Sequence, residues 1–297
     1  MSYSLIRKIN MQVLKEVPSV FFPFQYGTIG SLLAGLMIPV YGSNAIGMIQ
    51  NDFSHHDLNV DEGDIAEISK YIDNFNDTNL TQVANAIFTH INKEFYGSLK
   101  SFFQGEVWQV DSSLSKILEK KEEFRDAILL FVFSVPIFPV SELMRSIMTD
   151  FHIFEPDEVY IEMQSIMNEF FSETPKCQRH YLAWKVLDSL SSEKQQNIIS
   201  LIEKKVPFIC DGCGKDIKDI PSPFITRVEV YPSRNVNFDY SDIDDKDYEK
   251  EIASVLESAT SKTEKESNKS VWTEYRLFLC STCRNIFVKR IEAGEFI

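Results

Sequence analysis

Four of the five cysteines of this chain stand in two pairs, Cys210 with Cys213 and Cys280 with Cys283, and nothing else in the sequence restricts the fold as tightly. Two residues between cysteines let both thiolates reach one ion from a single tight turn, and two such pairs complete a tetrahedral shell. A secreted disulfide scaffold scatters its cysteines through a short chain. Paired spacing in 297 residues carrying a net charge of −14 reads instead as metal ligation in a reducing compartment. The expected location is cytoplasmic. The same acidity argues against nucleic acid as a partner, because affinity for a phosphate backbone comes from cationic side chains that displace counterions. At the N-terminus, Leu5, Ile9 and Val13 recur four apart, which predicts an amphipathic helix rather than a signal peptide.

In the segment CDGCGK, Gly214 permits the positive φ of a knuckle turn, so that backbone N–H groups can face the sulfurs. Phe224 to Tyr231 and Val271 to Leu279 alternate charged with apolar residues, the period of half-buried strands. The second cysteine pair follows the later strand and opens the apolar pattern of Ile286, Phe287 and Ile291. This places Cys280 and Cys283 at a helix N-terminus, whose partial positive charge favours thiolate.

The order knuckle, strand, strand, helix over residues 207 to 297 resembles a treble-clef zinc finger. The same third is similar to short bacterial zinc-finger proteins of unassigned function, which share a CxxCGK opening, a strand of the RVEVY type, an acidic helical insertion and a closing strand into CxxC. Arg227, Glu229 and Tyr231 fill the strand. The resemblance implies one structural Zn2+ held by Cys210, Cys213, Cys280 and Cys283, and it brings no activity with it. Two other readings of the cysteines stay open. Four thiolates also suit a mononuclear iron of the rubredoxin kind, although Arg284 stands where a second glycine commonly follows. A thioredoxin-like redox pair at Cys280 and Cys283 needs a βαβ context that the preceding region does not offer. With four protein ligands no position is left for water or substrate, which predicts a structural metal.

Residues 1 to 206 read as one all-α domain, so the expected fold is mainly α, with a small α+β zinc module after it. From Val17 through Asn51 there is no Asp, Glu, Lys or Arg. Pro18, Pro23 and Pro39 interrupt this run, and basic flanks are missing, so it reads as buried irregular core, with a membrane-associated segment over 17–51 as the alternative. Ser31 and Gly35 are expected to permit close helix packing. Further on, Leu80, Val83, Ile87, Ile91 and Phe95 mark a buried helical face. Ser112 or Ser113 is the expected cap of a helix running into the apolar stretch Ala127 to Val140, ended by Pro136 and Pro139. Ser141, Pro156, Thr174 with Pro175, and Ser191 are expected to open four more helices.

The insertion between the strands, 232–270, is strongly acidic in its first half: Asp239 to Glu251 hold seven acids against two lysines. Its second half, Ser258 to Ser270, is expected to form a mobile arm. Elsewhere the segment Asn51 to Asp64 concentrates His55, His56 and several acids, the residue types of a metal-dependent hydrolase, yet nothing there has the HExxH spacing. The phenylalanines around Phe102, Phe103 and Trp108, or Phe131, Phe133 and Phe138, are expected in the core rather than on a docking surface. These observations favour a non-enzymatic, zinc-stabilised interaction or adaptor protein with a protein partner. The context they suggest is an accessory subunit of a larger bacterial assembly, such as a secretion or defence system.

Overall fold

The computed structural model describes residues 2–52, 58, 60–151, 153–206, 209–217, 224–230 and 273–293. The chain divides into two compact units, Tyr3–Pro207 and Phe208–Ile297 with Met1–Ser2.

The larger unit is helical, and its first helix follows directly from the apolar period. In α1 (Ser2–Glu16), Leu5, Ile9 and Val13 are buried together with Ile6. Asn10 lies on that buried side, and its amide oxygen accepts a hydrogen bond of 2.7 Å from Trp184 Nε1. The uncharged run then supplies α2 (Ile29–Tyr41), capped by Thr28 and Ser31, which bond to each other's backbone N–H. Every residue from Ile29 to Ile38 is buried, as befits a helix that is apolar all round. It packs against α3 (Asn44–Asp52) and most extensively against α8 (Glu122–Val132). Gly35 allows that approach: a Cβ there would stand 3.1 Å from Ile128 Cα. Ser31 serves the cap instead. Among the described residues no helix is long and apolar enough to cross a membrane.

Next come α4 (Ile65–Asp73), capped by Asp64, and α5 (Thr78–Glu94), capped by Asp77, which pack on each other. Leu80, Val83, Ile87 and Ile91 are the buried face of α5, while Phe95 is its half-buried C-cap. After α6 (Leu99–Phe103), α7 (Val107–Ile117) begins earlier than the serines suggested. Val110 and Leu114 set its inward register, so Ser112 and Ser113 lie mid-helix. Lys120, at φ 65°, separates α7 from α8. The apolar stretch is likewise divided. Ser134, at φ 56°, ends α8 before either proline, and the chain continues without helix through Val140.

Four further helices complete the unit: α9 (Glu142–Asp150), α10 (Tyr160–Asn168), α11 (Thr174–Asp188) and α12 (Ser192–Lys205). Ser141 caps α9, Pro175 lies in the first turn of α11, and Ser191 is the N-cap residue of α12. Pro156 departs from expectation, because Glu158 accepts from the Glu155 N–H at 2.8 Å and closes a separate turn before α10. Phe102, Phe131 and Phe138 are fully buried, and Phe138 stacks on Phe171 with ring centroids 4.7 Å apart. Trp108 is 68% exposed, against the expectation for the core.

Two ionic clusters are buried in this unit. Asp126 is fully buried and accepts from Arg125, Tyr160 Oη and Gln164 Nε2, while Tyr160 Oη accepts from the Val140 N–H. Lys185 donates to Pro39 O, Glu123 and Asp188. These contacts join α2, α8, α10 and α11, and Val140 in the nonhelical segment after α8, since a buried charge needs its partners.

In the smaller unit, β1 (Phe224–Val230) and β2 (Thr273–Leu279) pair antiparallel, with Phe224 opposite Leu279 and Val230 opposite Thr273. A helix, α13 (Ser281–Glu292), follows β2 directly. The insertion 232–270, with its acidic run and expected mobile arm, lies outside the described residues.

Candidate metal centre

The first cysteine pair sits in a turn pinned from both sides. Ile209 and Asp216 form an antiparallel bridge, Cys210 N–H donates to Lys215 O at 2.8 Å, and Gly214 N–H donates to Cys210 O at 2.8 Å. Gly214 has φ 69°, the left-handed conformation that its lack of Cβ allows at little cost. The second pair is carried by the β2–α13 junction. Cys280 is the N-cap residue of α13, and Cys283 lies in the first turn of the helix. Register does the rest, because the β1–β2 pair holds this junction beside Phe224. Arg284 also sits with its guanidinium carbon 5.3 Å from the centre of the Phe224 ring, which ties the helix to β1.

The sulfurs of Cys210, Cys213, Cys280 and Cys283 all lie within 4.8 Å of one another. Cys213 and Cys280 Sγ are 3.9 Å apart. A tetrahedral ion with metal–sulfur bonds near 2.3 Å has sulfurs ~3.8 Å apart, so the donor set is close to what one such ion requires. Cys280 N–H points at Cys210 Sγ from 3.3 Å, the outer-shell hydrogen bond expected of a metal-bound thiolate. Burial works against charge on Cys210, but the backbone N–H groups of Cys280, Cys213 and Gly212 outweigh it and bring the thiol down to about 6. Cys283 moves the other way: hydrogen bonding with Cys213, and burial, push it up to about 12. A cation held by all four cysteines would displace their thiol protons. Cys210 and Cys280 are buried, Cys283 is half-buried and Cys213 is exposed.

Among the described residues this is the one group of His, Cys, Asp and Glu side chains close enough to hold an ion. Cys177 stands apart, fully buried in α11 with its Sγ 3.1 Å from Phe171 O, and burial pushes its thiol up to about 12. His55 and His56 lie outside the described residues. The acids around them that are described have structural partners: Asp52 accepts from Tyr71 Oη, Asp61 and Glu62 pair with Lys100, and Asp64 caps α4. Sequence reading passed over Gly212, whose packing against Cys283 only the folded geometry reveals. The repetition of CxxC carried no signal for it, since any residue satisfies the spacing.

No family model, curated protein or solved structure matches the chain.

Proposed function

We propose that the chain is a non-enzymatic, zinc-stabilised adaptor whose C-terminal unit is a treble-clef-like module, working as an accessory subunit of a larger assembly. The observation that carries this reading is the four-cysteine cluster, whose donor set saturates a tetrahedral ion and leaves it no coordination position for a substrate. Zinc suits four thiolates in such geometry. The partner is a protein with a basic surface, met by the acids Asp242, Asp244, Asp245, Asp247, Glu249 and Glu251. Like charges grouped on one segment act together in long-range attraction and raise the association rate more than they slow dissociation.

The test is affinity purification of the tagged native protein, followed by kinetics on what co-elutes. A stoichiometric protein partner is expected, lost when the metal is chelated. Replacing the six acids by Asn and Gln should slow association, by a factor that shrinks as salt rises through the screening range. A partner whose binding ignores both metal and acids would refute the adaptor reading.

A further inference from the structure

Two glycines stand in the first cysteine turn for different physical reasons. Gly214 adopts φ 69°, and nothing lies within 4 Å of the point where a Cβ would stand, so backbone conformation demands glycine there. Gly212 lies outside the left-handed region, and space demands it: a Cβ would sit 2.9 Å from both Cβ and Sγ of Cys283, and 3.6 Å from Leu279 Cδ2. Nonbonded heavy atoms in ordinary contact stand about 3.5–4 Å apart. Neither partner yields easily. Gly212 is held in a turn closed by the Cys210–Lys215 and Cys210–Gly214 backbone bonds, and Cys283 is fixed in the first turn of α13, where Arg284 N–H donates to Cys280 O at 2.9 Å.

We propose that Gly212 is the positioning residue that keeps the metal centre closed. Its missing side chain lets Cys283 enter as fourth ligand, and a side chain at 212 displaces Cys283 and opens a coordination position to an outside ligand. This rests on the reading of the four cysteines as one metal centre. Metal–ligand distances tolerate only about 0.2 Å, less than the displacement that a methyl group at 212 requires. Three protein ligands with one exchangeable position is the pattern of a catalytic zinc, so one methyl group separates the two kinds of site.

The test loads the full-length protein with Co2+, which occupies tetrahedral zinc sites and whose sulfur-to-cobalt charge-transfer intensity counts thiolates. The wild type should show a four-thiolate spectrum that added imidazole leaves unchanged. Gly212→Ala should keep about three quarters of that intensity per cobalt, shift its visible bands on imidazole addition, and bind cobalt ~10-fold or more weakly. Gly214→Ala, the control, should keep the four-thiolate spectrum at reduced stability. A wild-type spectrum without imidazole response in Gly212→Ala overturns the inference, whereas fewer than four thiolates in the wild type overturns the reading of the centre itself. If Gly212→Ala binds no cobalt, a Cys283→Gly background decides. There the steric conflict is gone, and adding Gly212→Ala should change cobalt affinity less than about twofold. A larger further loss overturns the inference.

Discussion

The cost of burying a charge is sharpest at Asp126. Burial raises its carboxyl to about 7, although Arg125 and Tyr160 favour the charged form. In the unfolded chain an aspartate titrates near 3.9, so between about pH 4 and 7 the folded state binds a proton that the unfolded state lacks. Stability from this group is therefore greatest in acid and falls as pH rises through that window, by at most ~4 kcal/mol. Glu123, also raised by burial, acts with the same sign. Asp126→Asn keeps a carbonyl acceptor for Tyr160 and Gln164 and cannot titrate. Urea unfolding at pH 4.5 and 7.5 should show a smaller loss of stability with rising pH in Asp126→Asn than in wild type. Parallel curves would mean that Asp126 is charged throughout. His180 runs oppositely: burial against Phe171 lowers it to about 4, so its stabilisation is complete above ~6.5 and lost as pH falls toward 4.

Between elements, specificity lies in a few polar contacts within an apolar core. Trp184 is fully buried in α11, and its indole N–H donates to Asn10 of α1. Asn10 in turn donates to Ile6 O at 2.9 Å, so its amide is fixed at both ends. Asn10→Leu keeps the volume close and strands the indole donor, and it should destabilise the helical unit by about 1–3 kcal/mol in equilibrium denaturation. Trp184 fluorescence should shift with it. A change within ~0.5 kcal/mol would show that the indole finds another acceptor.

For the molecule as a whole, the two units are expected to differ in what stabilises them. The helical unit buries an extensive core of aliphatic and aromatic side chains, whereas residues 207–297 are interrupted by the long polar insertion 232–270. A structural zinc held by four cysteines would contribute roughly 10–16 kcal/mol of apparent binding free energy, coupled to folding of the module. Chelation under reducing conditions, or Cys213→Ser or Cys280→Ser, should unfold residues 207–297 while most of the helical circular dichroism persists. Metal analysis of the wild type should return one equivalent of zinc. A return of less than half an equivalent would refute the zinc assignment, and stoichiometric iron would move the site to a rubredoxin-like one.

What the sequence determined by itself is what neighbours in the chain decide. The apolar period of α1 and α5, the helix starts at Ser141, Thr174 with Pro175 and Ser191, the alternation in β1 and β2, and the positive φ of Gly214 each follow from interactions spanning a few residues. The four cysteines of the candidate centre were legible for the same reason, because CxxC is a local spacing. Tertiary structure decided the rest. The start of α7 was set by where Val110 and Leu114 had to point, not by the serines that match a cap. The exposure of Trp108 and the burial of Phe131 and Phe138 depend on which helices face them, and composition is the same in either case. Gly212 looks interchangeable within CDGC until Cys283 arrives from a distant part of the chain to lie against it. A residue's own preferences are written beside it in the sequence, but the space it is allowed is fixed only by partners that folding brings from elsewhere.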